Sequence, residues 1–249
     1  MTTAEAHLLT PSLDLPSAYT LVVQAGKGAF AQACQMAKDA ESGTLVWAPG
    51  ADALEFAVVL APEEPLRSAR RAFFIGMSAL GDAIASVSPP EKRISFDWPD
   101  TILFDGARLG GGRLGWPQDC REDETPQWLV FSAMLLASKR DAGDPGLTPD
   151  STSLEDEHCA TEGHGELIER FARYLLRNFD LTLDQGFAAV GDHYLWRLVQ
   201  SHAGARPRIE ENGDLLVNRA ESSDIERLSF VSSLEMAAWL DPKTGMPRL

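Results

Sequence analysis

Three consecutive glycines, Gly110, Gly111 and Gly112, interrupt an apolar run in the stretch DWPDTILFDGARLGGGRLGW, residues 97–116. Glycines weaken a strand, because they raise the backbone entropy of the unfolded chain and supply no side chain to pack. A strand keeps them where something must approach the main chain closely. The chemistry this implies is recognition: a small ligand lying along the backbone of a pocket wall. The competing reading is a β-bulge that only curves the sheet.

Other chemistry-bearing residues are sparser. Glu155 to His164 collects acids, two histidines and Cys159, yet the spacing matches no zinc pattern, and an acidic surface loop is expected rather than a metal site. Gly26-Lys27-Gly28 lacks the spacing and the Ser/Thr of a phosphate-binding loop. No G-x-S-x-G elbow occurs, and Cys34, in an apolar helical stretch, reads as packed. Arg67, Arg70 and Arg71 share one face of an expected helix and read as a solvated face. His193 and Trp196 are expected to pack against the C-terminal strands.

The elements that must position these residues belong to an ordinary globular chain. It has 249 residues, 44% hydrophobic and 24% charged. That length fits one full-sized domain, or one domain with a small appendage. A net charge of −15 argues against a phosphate-backbone partner. No apolar run reaches the roughly 20 residues of a membrane span, and the start lacks a signal-peptide pattern. Three widely spaced cysteines fit a reduced, cytoplasmic setting.

Along the chain, the residues to Pro16 read as an arm. AYTLVVQA, GTLVWAP and ALEFAVVLAP read as strands, GAFAQACQMAKDA as a short helix, and 66–87 as a helix ended by Ser88-Pro89-Pro90. The 97–116 stretch is expected to fold as a hairpin around Asp105-Gly106, and QWLVFSAMLLAS as a further strand. GELIERFARYLLRNFD and GFAAVGDHYLWRLVQ read as helices. From residue 205 short strands are expected in RPRIEE, DLLVN, RLSFVSS and EMAAWLD, with an Asn212-Gly213 hairpin turn. The expected organisation is a main domain over 1–204 and a small β-rich module over 205–249.

The order of these elements, together with three motifs, resembles the catalytic domain of biotin–protein and lipoate ligases. Trp98-Pro99-Asp100-Thr101 stands where that family has W-P-N-D, and Arg108-Leu109-Gly110-Gly111 where it has K-[VLI]-[GA]-G. Thr152 to Glu157, TSLEDE, resembles its T-S-L-x-x-E. The resemblance implies an α/β fold, with a mixed, mostly antiparallel sheet and flanking helices. It also implies a carboxylate ligand such as biotin or lipoate, activation by ATP with magnesium, and transfer to a lysine on a carrier-type domain.

Carried over residue by residue, the resemblance makes Arg108 the charge-stabilising catalytic group. Trp98, Asp100, Thr101, Gly110, Gly111 and Gly112 become the ligand wall, with Trp47 added at the end of a neighbouring strand. The departures are specific. Arg108 replaces a lysine, and a planar guanidinium is not equivalent to an ammonium. Asp100 replaces an asparagine. The family's basic loop, G-R-G-R-R-G or R-R-x-S-G-G-G, is matched only by Pro49-Gly50-Ala51-Asp52-Ala53. A polyphosphate needs cations or a nest of amides, so a catalytically silent binding or regulatory module is the alternative reading.

Overall fold

The computed structural model describes residues 12–143, 145–159, 164–199, 206–218 and 225–249. The arm expected to Pro16 lies outside them as far as residue 11. Beyond that point it is tied down, for Asp14 pairs with Arg173 at 2.6 Å.

A seven-stranded sheet forms the centre, in the spatial order β1-β2-β3-β7-β6-β5-β4. The strands are β1 (Thr20–Val23), β2 (Thr44–Ala48), β3 (Ala53–Leu60), β4 (Ile94–Asp97), β5 (Thr101–Phe104), β6 (Ala107–Gly115) and β7 (Leu129–Leu136). Only β1 and β2 run parallel; the other pairs are antiparallel. The helices are α1 (Ala29–Met36), α2 (Leu66–Ala69), α3 (Ala72–Val87), α4 (Gly165–Gln185), α5 (Phe187–Arg197) and α6 (Phe230–Glu235). A second, three-stranded sheet joins β8 (Arg206–Ile209), β9 (Leu215–Asn218) and β10 (Ile225–Leu228). Mixed sheet, flanking helices and small β-module agree with the expected fold class.

Helices cover both faces of the sheet, which is why β2, β3 and β7 read as nearly unbroken apolar runs. Strand alternation separates the two sides. Leu54, Phe56 and Val58 of β3 join Phe131 and Leu135 of β7 in the main core under α3 and α4. Ala57, Val59 and Val130 pack under α1 on the other face. Glu55 also points to this second face and is buried. Its carboxylate accepts hydrogen bonds from the amides of Gly28 (2.8 Å) and Phe30 (3.5 Å), so the otherwise unpaired amides at the start of α1 receive an anion.

Several local expectations are corrected. The 66–87 segment breaks into α2 and α3. Arg70 is buried rather than solvated, held in a two-pronged pair by Glu122 (2.8 and 2.6 Å) over the Trp116 ring. In the tail, Ser229 ends the strand run and caps α6, its hydroxyl accepting from the Ser232 amide, so FVSSLE is helix instead of strand. Trp196 is 72% exposed instead of packed against the C-terminal strands, and His193 contacts Asp82 (3.3 Å).

Candidate functional site

The glycine hairpin folds as expected: β5 and β6 pair around Asp105 (φ 51°) and Gly106 (φ 89°), a turn with two consecutive positive φ values. A bulge interrupts the pairing, since Ile102 faces Gly110 while Leu103 faces Arg108. The three glycines then serve three different ends. Gly110, at φ 157°, lies so close to β7 that a Cβ would meet the Met134 carbonyl, with Leu135 Cα 2.8 Å away. Gly112 faces the main core, where a Cβ would come within 2.6 Å of Met77 Sδ and 3.3 Å of the Phe73 ring. Gly111 points to the opposite face, and a Cβ there would collide with the Asp100 carbonyl and the Trp239 indole. The bulge and the close approach are thus both present, on one strand.

Trp239 is fully buried, grouped with Ala53 and Met134 and apart from the main core. It lies beside Asp100, itself 2% exposed. Burial pushes the Asp100 carboxyl up to about 7, against the opposing pull of the Trp239 indole and the Thr101 hydroxyl. Thr101 donates to Asp100 Oδ1 at 3.3 Å. Asp100 Oδ2 and Trp239 Nε1 have no well-formed hydrogen bond. Gly111, Asp100 and Thr101 are therefore brought together, around a tryptophan that the sequence reading did not single out. Its one signal was that it is the tail's only tryptophan.

Arg108 opens on a separate cavity of about 860 Å³, shared with Lys139, Asp52, Asp150, Asp241 and Lys243. Its guanidinium donates to the Arg248 carbonyl at 3.4 Å and makes no ion pair among the described residues. Lys139 is engaged, donating to the carbonyls of Thr148 (3.1 Å) and Ser151 (2.7 Å). The structure does not bring the two tryptophans of the expected ligand wall to this place. Trp98 stacks on Phe74 (5.6 Å) and touches Phe230 (6.2 Å) in the main core. Trp47 packs on the core side and lines a different hollow with Pro49, Gly50, Ala51 and His164.

That second hollow lies at the β2–β3 turn, where the resemblance would seat a phosphate-binding loop. Its lining of Trp47, Pro49, Gly50, Ala51, Ala53, Leu54 and His164 offers no Lys or Arg. Burial also holds the His164 imidazole below its ordinary value, which disfavours a positive charge there. These residues do not fit a polyphosphate. Of the acidic stretch 155–164, residues 160–163 lie outside the described part. Among the described residues no three His, Cys, Asp or Glu side chains gather as a metal site. No described helix is long and apolar enough to cross a membrane.

Fold and motifs together define a ligase-type α/β domain. Residues 15–196 match the Biotin/lipoate A/B protein ligase family, and the chain belongs to that family. It is 29% identical over 204 residues to a biotin–[acetyl-CoA-carboxylase] ligase of Paracoccus denitrificans, spanning 79% of this chain and 76% of that one. Among solved structures, it resembles a biotin protein ligase-like protein of unknown function from Silicibacter (TM-score 0.75, 25% identity, 90% and 99% of the two chains). The apo biotin protein ligase of Aquifex aeolicus shares the fold (TM-score 0.64, 13% identity, 84% and 95%).

Proposed function

We propose that this protein binds a small carboxylate ligand, with the carboxylate on Arg108 and the body of the ligand in the adjoining cavity. The observation that carries this is an arginine at the motif-lysine position that faces a cavity of about 860 Å³ and has no anionic partner among the described residues. A planar guanidinium offers a carboxylate two parallel hydrogen bonds, so it suits retention of an acid at least as well as stabilisation of developing charge. Nucleotide binding is not part of this reading, because the β2–β3 hollow lacks cations. The protein then acts as a ligand-binding or regulatory relative of the ligases.

Family membership supports a second reading, ATP-dependent transfer of an acyl group to a carrier lysine. Thermal-shift titration with octanoate, lipoate and biotin, each with and without ATP and magnesium, separates the two. Ligands that bind only the folded state raise Tm. The first reading expects a response to an acid alone that Arg108→Met abolishes. A response that requires ATP would favour the second, and no response to any acid would overturn the first.

A further inference from the structure

We infer that the C-terminal segment 237–248 is a built-in plug, with Trp239 inserted into the groove along β6 that the body of a longer ligand would occupy. The inference rests on the carboxylate reading for what enters the groove, and on the geometry of the segment for the plug itself.

The segment is closed on itself. Asp241 N donates to the Met246 carbonyl (2.8 Å), Gly245 N to the Asp241 carbonyl (2.8 Å) and Arg248 N to the Trp239 carbonyl (2.7 Å). Leu240 and Pro247 form an antiparallel bridge at its neck. Side chains add to the same closure: Thr244 Oγ1 donates to Asp241 Oδ2 (3.1 Å) and Arg248 Nε to the Leu240 carbonyl (3.1 Å). Toward the rest of the protein, among the described residues, it offers one long hydrogen bond, Arg108 to the Arg248 carbonyl, and a small apolar contact in which Trp239 is fully buried, Pro247 is buried and Leu240 and Met246 are half-buried. Residues 242–245 are exposed. Lifting such a loop breaks no strand ladder.

The seat of the plug is equally specific. Trp239 rests where Gly111 has no side chain, in a small apolar niche with Ala53 and Met134. Its Nε1 and the neighbouring Asp100 Oδ2 are buried without well-formed partners. A ligand that displaced the indole would free both atoms.

Arg108 and Gly111 lie three residues apart on β6, roughly 10 Å along a strand. An acid held by Arg108 and extended along β6 therefore meets Trp239. Short acids fit with the plug in place; long ones require it to leave.

Two measurements test this. In the wild-type protein, native-state hydrogen exchange should show the amides of Asp241 and Arg248 opening at least about tenfold more often than those of β7, while β7 stays protected. Equal protection of the segment and β7 would overturn the plug whatever binds. In calorimetry with butyrate and octanoate, Trp239→Ala should tighten octanoate by about tenfold or more and leave butyrate within about twofold. Equal gains for both acids, or none for octanoate while butyrate still binds, would also overturn it. Rapid exchange of the segment with neither acid bound by either protein would uphold the plug and remove the carboxylate reading instead.

Discussion

The Trp239 indole lies against the Asp100 carboxyl, and the two are buried together on the face of β6 that carries Gly111. An acid and an indole from residues 139 positions apart in sequence thus share one buried niche. The carboxyl is raised from 3.8 to about 7 chiefly by that burial.

This relationship makes stability depend on pH. In the unfolded chain Asp100 loses its proton near pH 4, whereas the folded protein retains it to about pH 7. The unfolded state therefore binds fewer protons across this window, and stability falls as pH rises from about 4 to about 7. Asp100→Asn removes the charge while keeping the shape. We expect it to raise stability at pH 8 by up to about 4 kcal/mol and to have little effect at pH 4. Urea unfolding at the two pH values checks this; an equal effect at both would mean that charge is not the cause.

Gly111→Ala puts a Cβ into the Asp100 carbonyl and the Trp239 ring. Overpacking of this kind costs about 1–3 kcal/mol. In a Trp239→Ala background the penalty should shrink, because one of the two obstacles has gone. Unchanged penalties in the two backgrounds would show that the indole does not rest on Gly111.

Phe230 anchors the C-terminal module, fully buried among Phe73 (5.4 Å), Phe74 (4.7 Å) and Trp98 (6.2 Å). Phe230→Ala should destabilise by about 3–5 kcal/mol and speed cleavage within residues 225–249 under limited proteolysis. Proteolysis that leaves this region as resistant as the sheet would show that other contacts hold the module.

Calorimetry with ATP and magnesium should show affinity weaker than about 1 mM, since the β2–β3 hollow presents no cation. Micromolar affinity would mean that the nucleotide is held elsewhere, and would revive the acyl-transfer reading.

The sequence by itself determined the class of fold and most of its elements. The β-branched and aromatic runs in GTLVWAP and ALEFAVVL, the 3.6 period of GELIERFARYLLRNFD and the Asp105-Gly106 turn are local signals, and each became the expected element. Two of the ligase-type motifs, 98–101 and 108–111, adjoin β5 and the third follows β7 at 152–157, so their order along the chain sufficed to mark family kinship. What each glycine is for could not be read locally. Gly110, Gly111 and Gly112 are identical in sequence, yet strand alternation and one bulge turn them toward β7, Trp239 and α3. The same alternation put Trp47 on the core side, away from Arg108. Trp239 was missed for a related reason: its burial depends on the tail folding back 128 residues to a glycine, and no local pattern encodes such a contact. Tertiary packing alone decided that the space in front of Gly111 is filled by Trp239, because shape and desolvation arise only when distant segments meet.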